Sequence, residues 1–302
     1  MKVFKIVSFF CVIMCFSFLF GCGKNDVQVD SSKLQVYTSF YGVYDFVSKI
    51  GGDKIQLYNV VPTGTEPHNW EPTAGDMRNF STADLLFYNG AGMEGWIDSV
   101  KQSVENDKIK YINLSDGIDL IKTDPQNNIC DPHIWLNPLN AKKEAYTIKN
   151  ALSEADPANS DFYSKNYDDF AKKADDLNKQ FSDTLNNCNN KTIVVAHEAY
   201  GYLCKAYGIE QIAIEGLSAD SEPSPAKMAE VSEFVKNNNI KFIFFEELLS
   251  PKAASVISEE TGVGLLVLNP FEGLSQEDID KGFDYFSVMY ENLENIKKAL
   301  YE

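Results

Sequence analysis

The segment Thr192-Ile193-Val194-Val195-Ala196-His197 is an apolar run that ends in a histidine. A strand that is apolar at almost every position must be buried on both faces, which is typical of a parallel sheet covered by helices. Similar runs follow at Gln211–Ile214, Lys241–Phe245 and Leu265–Leu268. Stretches with helical signals separate them, at Tyr200–Tyr207, Pro225–Val235, Pro251–Glu259 and Ile279–Leu300. The second half of the chain therefore predicts a parallel α/β domain.

The first half of the chain shows the same alternation. Predicted strands are Leu34–Phe40, Ile55–Val61, Asp84–Asn89 and Lys110–Leu114, and predicted helices are Tyr41–Ile50, Thr73–Phe80 and Trp96–Val104. Thr73 and Asp76 have the spacing of a capping box, with Asp in place of the usual Glu. Ser224 and Pro225 are a good N-cap and first helical residue for another helix.

One long helical stretch lies between the halves, from Asp156 to Asn187. Its apolar residues recur at helical spacing: Phe162, Tyr167, Phe170, Ala174, Leu177, Phe181 and Leu185. At 1.5 Å per residue it would be a rod of about 45 Å. We therefore expect an N-terminal α/β lobe (34–155), a linking helix (156–187) and a C-terminal α/β lobe (188–302). The functional site should lie in the cleft between the lobes, outside the carboxyl ends of the strands.

Residues 1–21 have the build of a secretory signal peptide, with Lys2 and Lys5 before an apolar run that is too short for a comfortable membrane span. The run ends in Leu19-Phe20-Gly21-Cys22, which resembles the bacterial lipoprotein box. That resemblance implies lipidation of Cys22, with polar residues 22–33 as the tether of a protein anchored on the outer side of the cell membrane.

The chain is acidic, and removing the signal peptide lowers the net charge from −17 to −19. Such a surface repels phosphate backbones, so nucleic acid is an unfavourable partner. Three cysteines remain after Cys22, namely Cys130, Cys188 and Cys204. A bridge between the last two is open, and an ordinary buried thiol is the simpler interpretation of Cys130.

The chain contains three histidines, and each falls where a strand ends or a loop begins. His68 follows the second strand, His133 lies in Asp131-Pro132-His133-Ile134-Trp135, and His197 directly follows a buried strand. Because parallel strands bring their carboxyl ends to one edge, the three imidazoles can converge there. Three imidazoles need one more donor to complete a tetrahedral zinc site. Glu272, after the last strand, is the candidate.

Several segments resemble the cluster A-I solute-binding lipoproteins of bacterial metal importers, the zinc- and manganese-binding group. The matching stretches occur in family order: Pro62–Pro72, Ala83–Trp96, Asp131–Pro138, His197–Leu203, Glu222–Pro225 and Asn269–Leu274. The resemblance implies two (β/α)4-like lobes with parallel sheets, joined by one long backbone helix. It also implies a metal ion held by His68, His133, His197 and Glu272, two residues from each lobe. The implied partners are an ABC permease and its ATPase, and we expect a monomer without enzymatic activity.

This chain departs from the family pattern at two places. Trp70 replaces the tyrosine that is common in the first motif. Many zinc-binding members carry a long histidine-rich loop before the second histidine, whereas Lys122–Cys130 is short and has no histidine. We therefore expect no loop-based collection of metal here, and an intact primary site.

The donor set favours Zn2+, with Mn2+ as a weaker alternative. Relatives of the manganese type usually place a glutamate where His197 stands and an aspartate where Glu272 stands, and carboxylate-rich sites suit Mn2+. Glu198 could bind instead of His197 only if the motif slipped by one residue. Glu246 is expected to hydrogen-bond an imidazole from behind. Two other functions remain open: a zinc hydrolase, which would need an open metal position, and a surface adhesin.

Overall fold

The computed structural model describes residues 32–124, 126–127, 129–188, 190–218 and 223–301. The predicted signal peptide, Cys22, the tether up to residue 31, and Glu222 of the fifth matching stretch lie outside these residues. Within the part of the chain that is described, no helix has both the length and the apolar character needed to cross a membrane.

The first sheet consists of four parallel strands with helices between them. In chain order the elements are β1 (Leu34–Thr38), α1 (Tyr41–Gly51), β2 (Ile55–Asn59), α2 (Ala74–Phe80), β3 (Leu85–Tyr88), α3 (Ile97–Ser103) and β4 (Lys110–Asn113). The spatial order is β2-β1-β3-β4, and every pairing is parallel. The capping box at the start of α2 is confirmed, because Thr73 and Asp76 exchange side-chain and backbone hydrogen bonds. A small antiparallel hairpin follows, with strands β5 (Lys122–Asp124) and β6 (Ile129–Cys130).

Two consecutive helices link the halves of the chain: α4 (Pro138–Ala155) and α5 (Ser160–Leu185). A 3-10 turn at Pro157–Asn159 joins them, and Lys142 of α4 pairs with Asp175 of α5 at 2.7 Å. The sequence predicted one helix from Asp156, which is wrong at its start. Asp156 leaves the helical backbone conformation (φ −135°, ψ 77°), and its carboxylate accepts a hydrogen bond from the Tyr163 hydroxyl. The long helix is therefore about 39 Å, shorter than expected.

The second sheet repeats the first. Its elements are β7 (Thr192–Val195), α6 (Gly201–Tyr207), β8 (Glu210–Ala213), α7 (Pro225–Asn237), β9 (Phe242–Phe245), α8 (Lys252–Thr261) and β10 (Gly264–Val267). The spatial order is β10-β9-β7-β8, which read from right to left has the same topology as the first sheet. Every strand pairing is again parallel. The α/β class with two parallel sheets and a long helix is confirmed. Strand ends differ from prediction by one or two residues, as is usual at element boundaries.

The C-terminal prediction of one helix over Ile279–Leu300 is wrong. The chain forms a short helix, α9 (Gln276–Asp280), and then α10 (Tyr285–Tyr301). Gly282 adopts a left-handed conformation (φ 83°), and the amides of Gly282 and Phe283 bond back to the carbonyls of Ile279 and Asp278. This Schellman motif ends α9 and turns the chain before α10 begins.

The two lobes, meaning the two sheets with their connecting helices, share one apolar core. Phe170 of α5 packs edge-on against Phe46 of α1 at 5.2 Å between ring centroids, and against Phe286 of α10 at 5.0 Å. Asp284, just before α10, forms an ion pair with Lys49 of α1 at 3.1 Å. Helix α10 therefore packs on α1 as well as on α5.

Replacing Phe170 by alanine tests this shared core. Phe170 is 3% exposed, so its loss should lower the free energy of unfolding by about 3–5 kcal/mol, since the cavity would open between three helices. Lys172→Ala, an exposed position on the same helix, is the matched control and should change stability by less than about 0.5 kcal/mol. Urea unfolding of the metal-free proteins measures both. A loss below about 1 kcal/mol for Phe170→Ala would contradict the shared core.

Candidate metal site

The carboxyl ends of both sheets supply one cluster of side chains. His68, His133, His197 and Glu272 come together, and their donor atoms all lie within 4.8 Å of one another. His133 and His197 are fully buried, and the side chains of Glu272 and His68 are 6% and 9% exposed. The convergence expected from the strand ends is therefore observed. That these residues bind a metal ion is a proposal, taken up below.

His197 is positioned by the register of the second sheet. Val194 of β7 pairs with Ile243 of β9, so His197 and Glu246, each three residues further along, leave the sheet at the same level. Nδ1 of His197 lies 2.5 Å from Oε1 of Glu246, which turns Nε2 toward the cluster. The expected contact of Glu246 with an imidazole is present. A carboxylate behind a histidine fixes the ring orientation and increases its basicity as a ligand.

His133 is positioned by the turn that contains it. Oδ1 of Asp131 accepts the backbone N–H of His133 at 2.9 Å and lies 2.8 Å from its Nδ1. The turn is held from both lobes, because Asn89 donates to the Pro132 carbonyl and the Tyr202 hydroxyl donates to the Asp131 carbonyl, each at 2.9 Å. Nε2 of His133 therefore also faces the cluster from a fixed ring.

His68 lies in the long loop after β2 and is held less firmly. Its backbone N–H donates to Oε1 of Glu66 at 2.8 Å, whereas its ring nitrogen Nε2 is 4.0 Å from the same oxygen. Asn69 donates to Ser218 of the second lobe at 3.4 Å. His68 is thus the most exposed of the three imidazoles, and it sits where the loop meets the opposite lobe.

Glu272 follows β10 in a loop that α10 clamps. Asn292 accepts the backbone N–H of Asn269 at 2.9 Å and donates to the Asn269 carbonyl at 2.7 Å. The side chain of Asn269 in turn accepts the N–H of Phe271 at 2.8 Å. Phe271 has a left-handed backbone conformation (φ 59°), which is unfavourable for a bulky residue and must be held by its surroundings. The turn presents the Glu272 carboxylate to the histidines.

The donor atoms lie within 4.8 Å of one another, and three of their separations match those around a small four-coordinate ion. Oε1 of Glu272 is 2.9 Å from Nε2 of His133 and 3.4 Å from Nε2 of both His68 and His197. The Nε2 atoms of His133 and His197 are 3.3 Å apart. A tetrahedral zinc with bonds of about 2.0–2.1 Å needs donor separations of about 3.3–3.4 Å. Nε2 of His68 and Oε1 of Glu272 are buried without a hydrogen-bond partner of good geometry, as expected of atoms that serve as metal donors.

Comparison with known proteins identifies the family of this chain. Residues 36–299 match the family described as "ZnuA: Zinc-uptake complex component A periplasmic". The chain belongs to this family. It is 37% identical to the high-affinity zinc uptake system protein ZnuA of Bacillus subtilis strain 168, with 98% of each chain covered.

Two solved ZnuA-family structures share the fold. The metal-dependent lipoprotein YcdH of Bacillus subtilis superposes with a TM-score of 0.80 at 40% identity, covering 89% of this chain and 100% of the other. The Zn(II)-bound ZnuA-like domain of Streptococcus pneumoniae AdcA also gives 0.80, at 37% identity, with the same coverage. Full-length AdcA is longer, and this chain spans 61% of it at 35% identity.

Buried carboxylates set the charge of the site in this ZnuA-family protein. Burial lowers the pKa of His133, but Asp131 and Glu272 outweigh it, so the pKa is raised. In the same way burial is outweighed at His197 by Glu246 and Glu272, and its pKa is well above the usual value. Burial would raise the pKa of Glu272, yet the surrounding imidazoles hold it well below its ordinary range. The carboxylates therefore favour protonation of His133 and His197 when no cation is bound, while Glu272 stays ionised.

The cysteines, and the other acid that the sequence offered as a possible ligand, lie outside the cluster. Cys130 is not part of it, and Cys188 and Cys204 are buried free thiols rather than a bridge. Glu198 is also absent from the cluster, so the motif has not slipped by one residue. Asp131 was missed as a partner, although an acid two residues before a histidine was a usable signal.

Zinc affinity should fall steeply as the pH drops from 7.5 to 5.5. The carboxylates raise the pKa of His133 and His197. Protons therefore begin to compete with the metal at a pH above the usual imidazole pKa of about 6.5. Glu272 stays ionised over this window and does not contribute to the loss. Zinc titrations against a competing chelator should give a slope of log Kd against pH steeper than one proton. A flat profile would show that histidines do not dominate binding.

Proposed function

We propose that this protein is the extracytoplasmic Zn2+-binding component of an ABC-type metal importer. It captures the ion between its two lobes with His68, His133, His197 and Glu272 and delivers it to a membrane permease that works with an ATPase. The observation that carries the proposal is the cluster of three imidazole nitrogens and one carboxylate oxygen within 4.8 Å of one another. The named zinc-uptake relatives support it.

The donor set favours zinc over manganese. Three imidazoles and one carboxylate make a nitrogen-rich site, and imidazole suits Zn2+, whereas Mn2+ prefers oxygen-rich, six-coordinate surroundings. The short donor separations also leave little space for a larger coordination shell. Manganese is then a weaker second ligand of the same site.

The same four donors argue against a hydrolase. A catalytic zinc usually has three protein ligands and an open position for water, and Glu272 fills that position here. A surface adhesin without a metal-transport role would not require the histidines to converge, and they do converge in this structure. The geometry therefore supports binding and transport best.

Delivery follows from how the ligands are divided. His68 and His133 come from the first lobe, and His197 and Glu272 from the second. A permease that draws the lobes apart would leave the ion with two protein ligands instead of four. Since each lost ligand weakens binding, a small separation is enough to release the ion into the importer.

Exchanging His197 tests the site and its selectivity together. His197→Glu replaces a nitrogen donor by a hard oxygen, so zinc should weaken by about 100-fold or more and the ratio of manganese to zinc affinity should rise. His197→Ala supplies no donor and should weaken both metals. Metal analysis of protein purified without chelator, followed by zinc and manganese titration of the metal-free form, gives these values.

The matched control is Glu198→Gln, which changes the neighbouring residue outside the cluster. It should leave both affinities within about twofold of wild type, since it removes no donor. If His197→Glu leaves the zinc affinity and the metal ratio unchanged, His197 is not a ligand and the four-residue site is wrong.

Lipid attachment at Cys22 would place the protein on the outer surface of the membrane. Wild-type protein should fractionate with membranes and carry a lipid, whereas Cys22→Ala should appear in the medium or as uncleaved precursor. Cys130→Ala is the control, because it removes a cysteine without touching the lipoprotein box. Membrane fractionation and intact-mass analysis make the measurement. Unmodified Cys22 in wild-type protein found free in the medium would contradict anchoring.

A further inference from the structure

Trp135 joins the turn of His133 to the loop of Glu272. It lies two residues after His133, and its indole N–H donates to the Pro270 carbonyl at 2.7 Å, two residues before Glu272. The side chain is 1% exposed, so this bond is screened from water. One hydrogen bond therefore connects ligand-bearing segments that are far apart in the chain and belong to different lobes.

The loop that Trp135 holds is under backbone strain. Phe271 has φ of 59°, and a left-handed conformation is unfavourable for a non-glycine residue. Such a conformation persists only where its surroundings impose it. The Pro270 carbonyl just before Phe271 is fixed by the indole, and the Phe271 ring packs edge-on against Tyr41 and Tyr285, each at 5.6 Å. Without the indole bond, the peptide before Phe271 is held only through its N–H, which donates to the Asn269 side chain.

Trp135 is itself held firmly. The Tyr285 hydroxyl donates to the Trp135 carbonyl at 2.8 Å, and the Phe40 ring packs against the indole at 5.1 Å. Tyr285 also packs edge-on against Phe46 of α1 at 4.9 Å. These contacts fix the position of the indole N–H. They come from Phe40 on one side and from Tyr285 on the other.

We propose that Trp135 is a positioning residue that confers metal selectivity, an inference that rests on the proposed zinc-binding function. By fixing the Pro270 carbonyl, Trp135 holds Oε1 of Glu272 at 2.9 Å from Nε2 of His133. The distances between the donor atoms are therefore short before any ion binds. Four donors already gathered within 4.8 Å of one another fit Zn2+, which is usually four-coordinate in such sites. Mn2+ needs the carboxylate to move outward and admit water or bind through both oxygens, which the fixed loop opposes.

The test compares Trp135→Phe with Trp96→Phe in the full chain. Phenylalanine retains most of the ring packing and removes the N–H. Trp96 is a buried tryptophan of the first lobe that packs against Phe80 and Trp70, so its variant controls for a general loss of packing. Zinc and manganese dissociation constants are measured for each protein. Co2+ is bound as a spectroscopic probe, because four-coordinate Co2+ absorbs visible light far more strongly than six-coordinate Co2+.

Trp135→Phe should weaken zinc by about fivefold, the factor for one neutral hydrogen bond of about 1 kcal/mol, and should weaken manganese less. The zinc preference should fall and the visible Co2+ band should lose intensity, while Trp96→Phe changes neither. Tyr285→Phe, which frees the Trp135 carbonyl and leaves the indole in place, should shift both readouts in the same direction. It also provides a second variant if Trp135→Phe folds poorly.

Two results would overturn the inference. One is an unchanged metal ratio and Co2+ spectrum in both Trp135→Phe and Tyr285→Phe; the other is an equal change in Trp96→Phe. Either would leave Trp135 as a packing residue while wild-type zinc binding, and with it the proposed function, stands. A wild type that binds no zinc would instead refute the proposed function itself.

Discussion

Oε1 of Glu272 lies buried among three imidazole nitrogens, at 2.9, 3.4 and 3.4 Å. Neither this oxygen nor Nε2 of His68 has a hydrogen-bond partner of good geometry, and a buried polar atom without one costs about 1–3 kcal/mol. A divalent cation satisfies all of these donors at once. The rest of the structure can be understood as what holds this arrangement together: two sheets that end at one cleft, carboxylates behind the imidazoles, and helices that tie the lobes.

The features of the site that depend on local sequence patterns could be predicted. The apolar run before His197 indicates a doubly buried strand, and parallel strands collect their ends at one edge, so convergence of the histidines followed. The contact between His197 and Glu246 was expected only in general terms. Its geometry depends on the register of Val194 against Ile243, which is set by packing of distant segments and has no local signal.

The misses have two different causes. The break after α9 was signalled by Gly282, which local reasoning could have used as a helix end. Trp135 is a core residue, as its apolar ring would suggest. Its bond to the Pro270 carbonyl lies across the cleft, and nothing in either segment indicates the other. The sequence can thus show that a residue lies at a strand end. The hydrogen bonds that fix its side chain there can be identified only from the folded structure.

The clamp of Asn292 on Asn269 has a consequence for the order in which the protein is made. Synthesis proceeds from the N-terminus, so the three histidines emerge before Glu272, and residues 285–301 emerge after it. Until α10 packs, the loop of the fourth donor has neither Asn292 to hold Asn269 nor Tyr285 to hold the Trp135 turn. The loop of Glu272 therefore reaches its final position relative to the histidines only when α10 has packed.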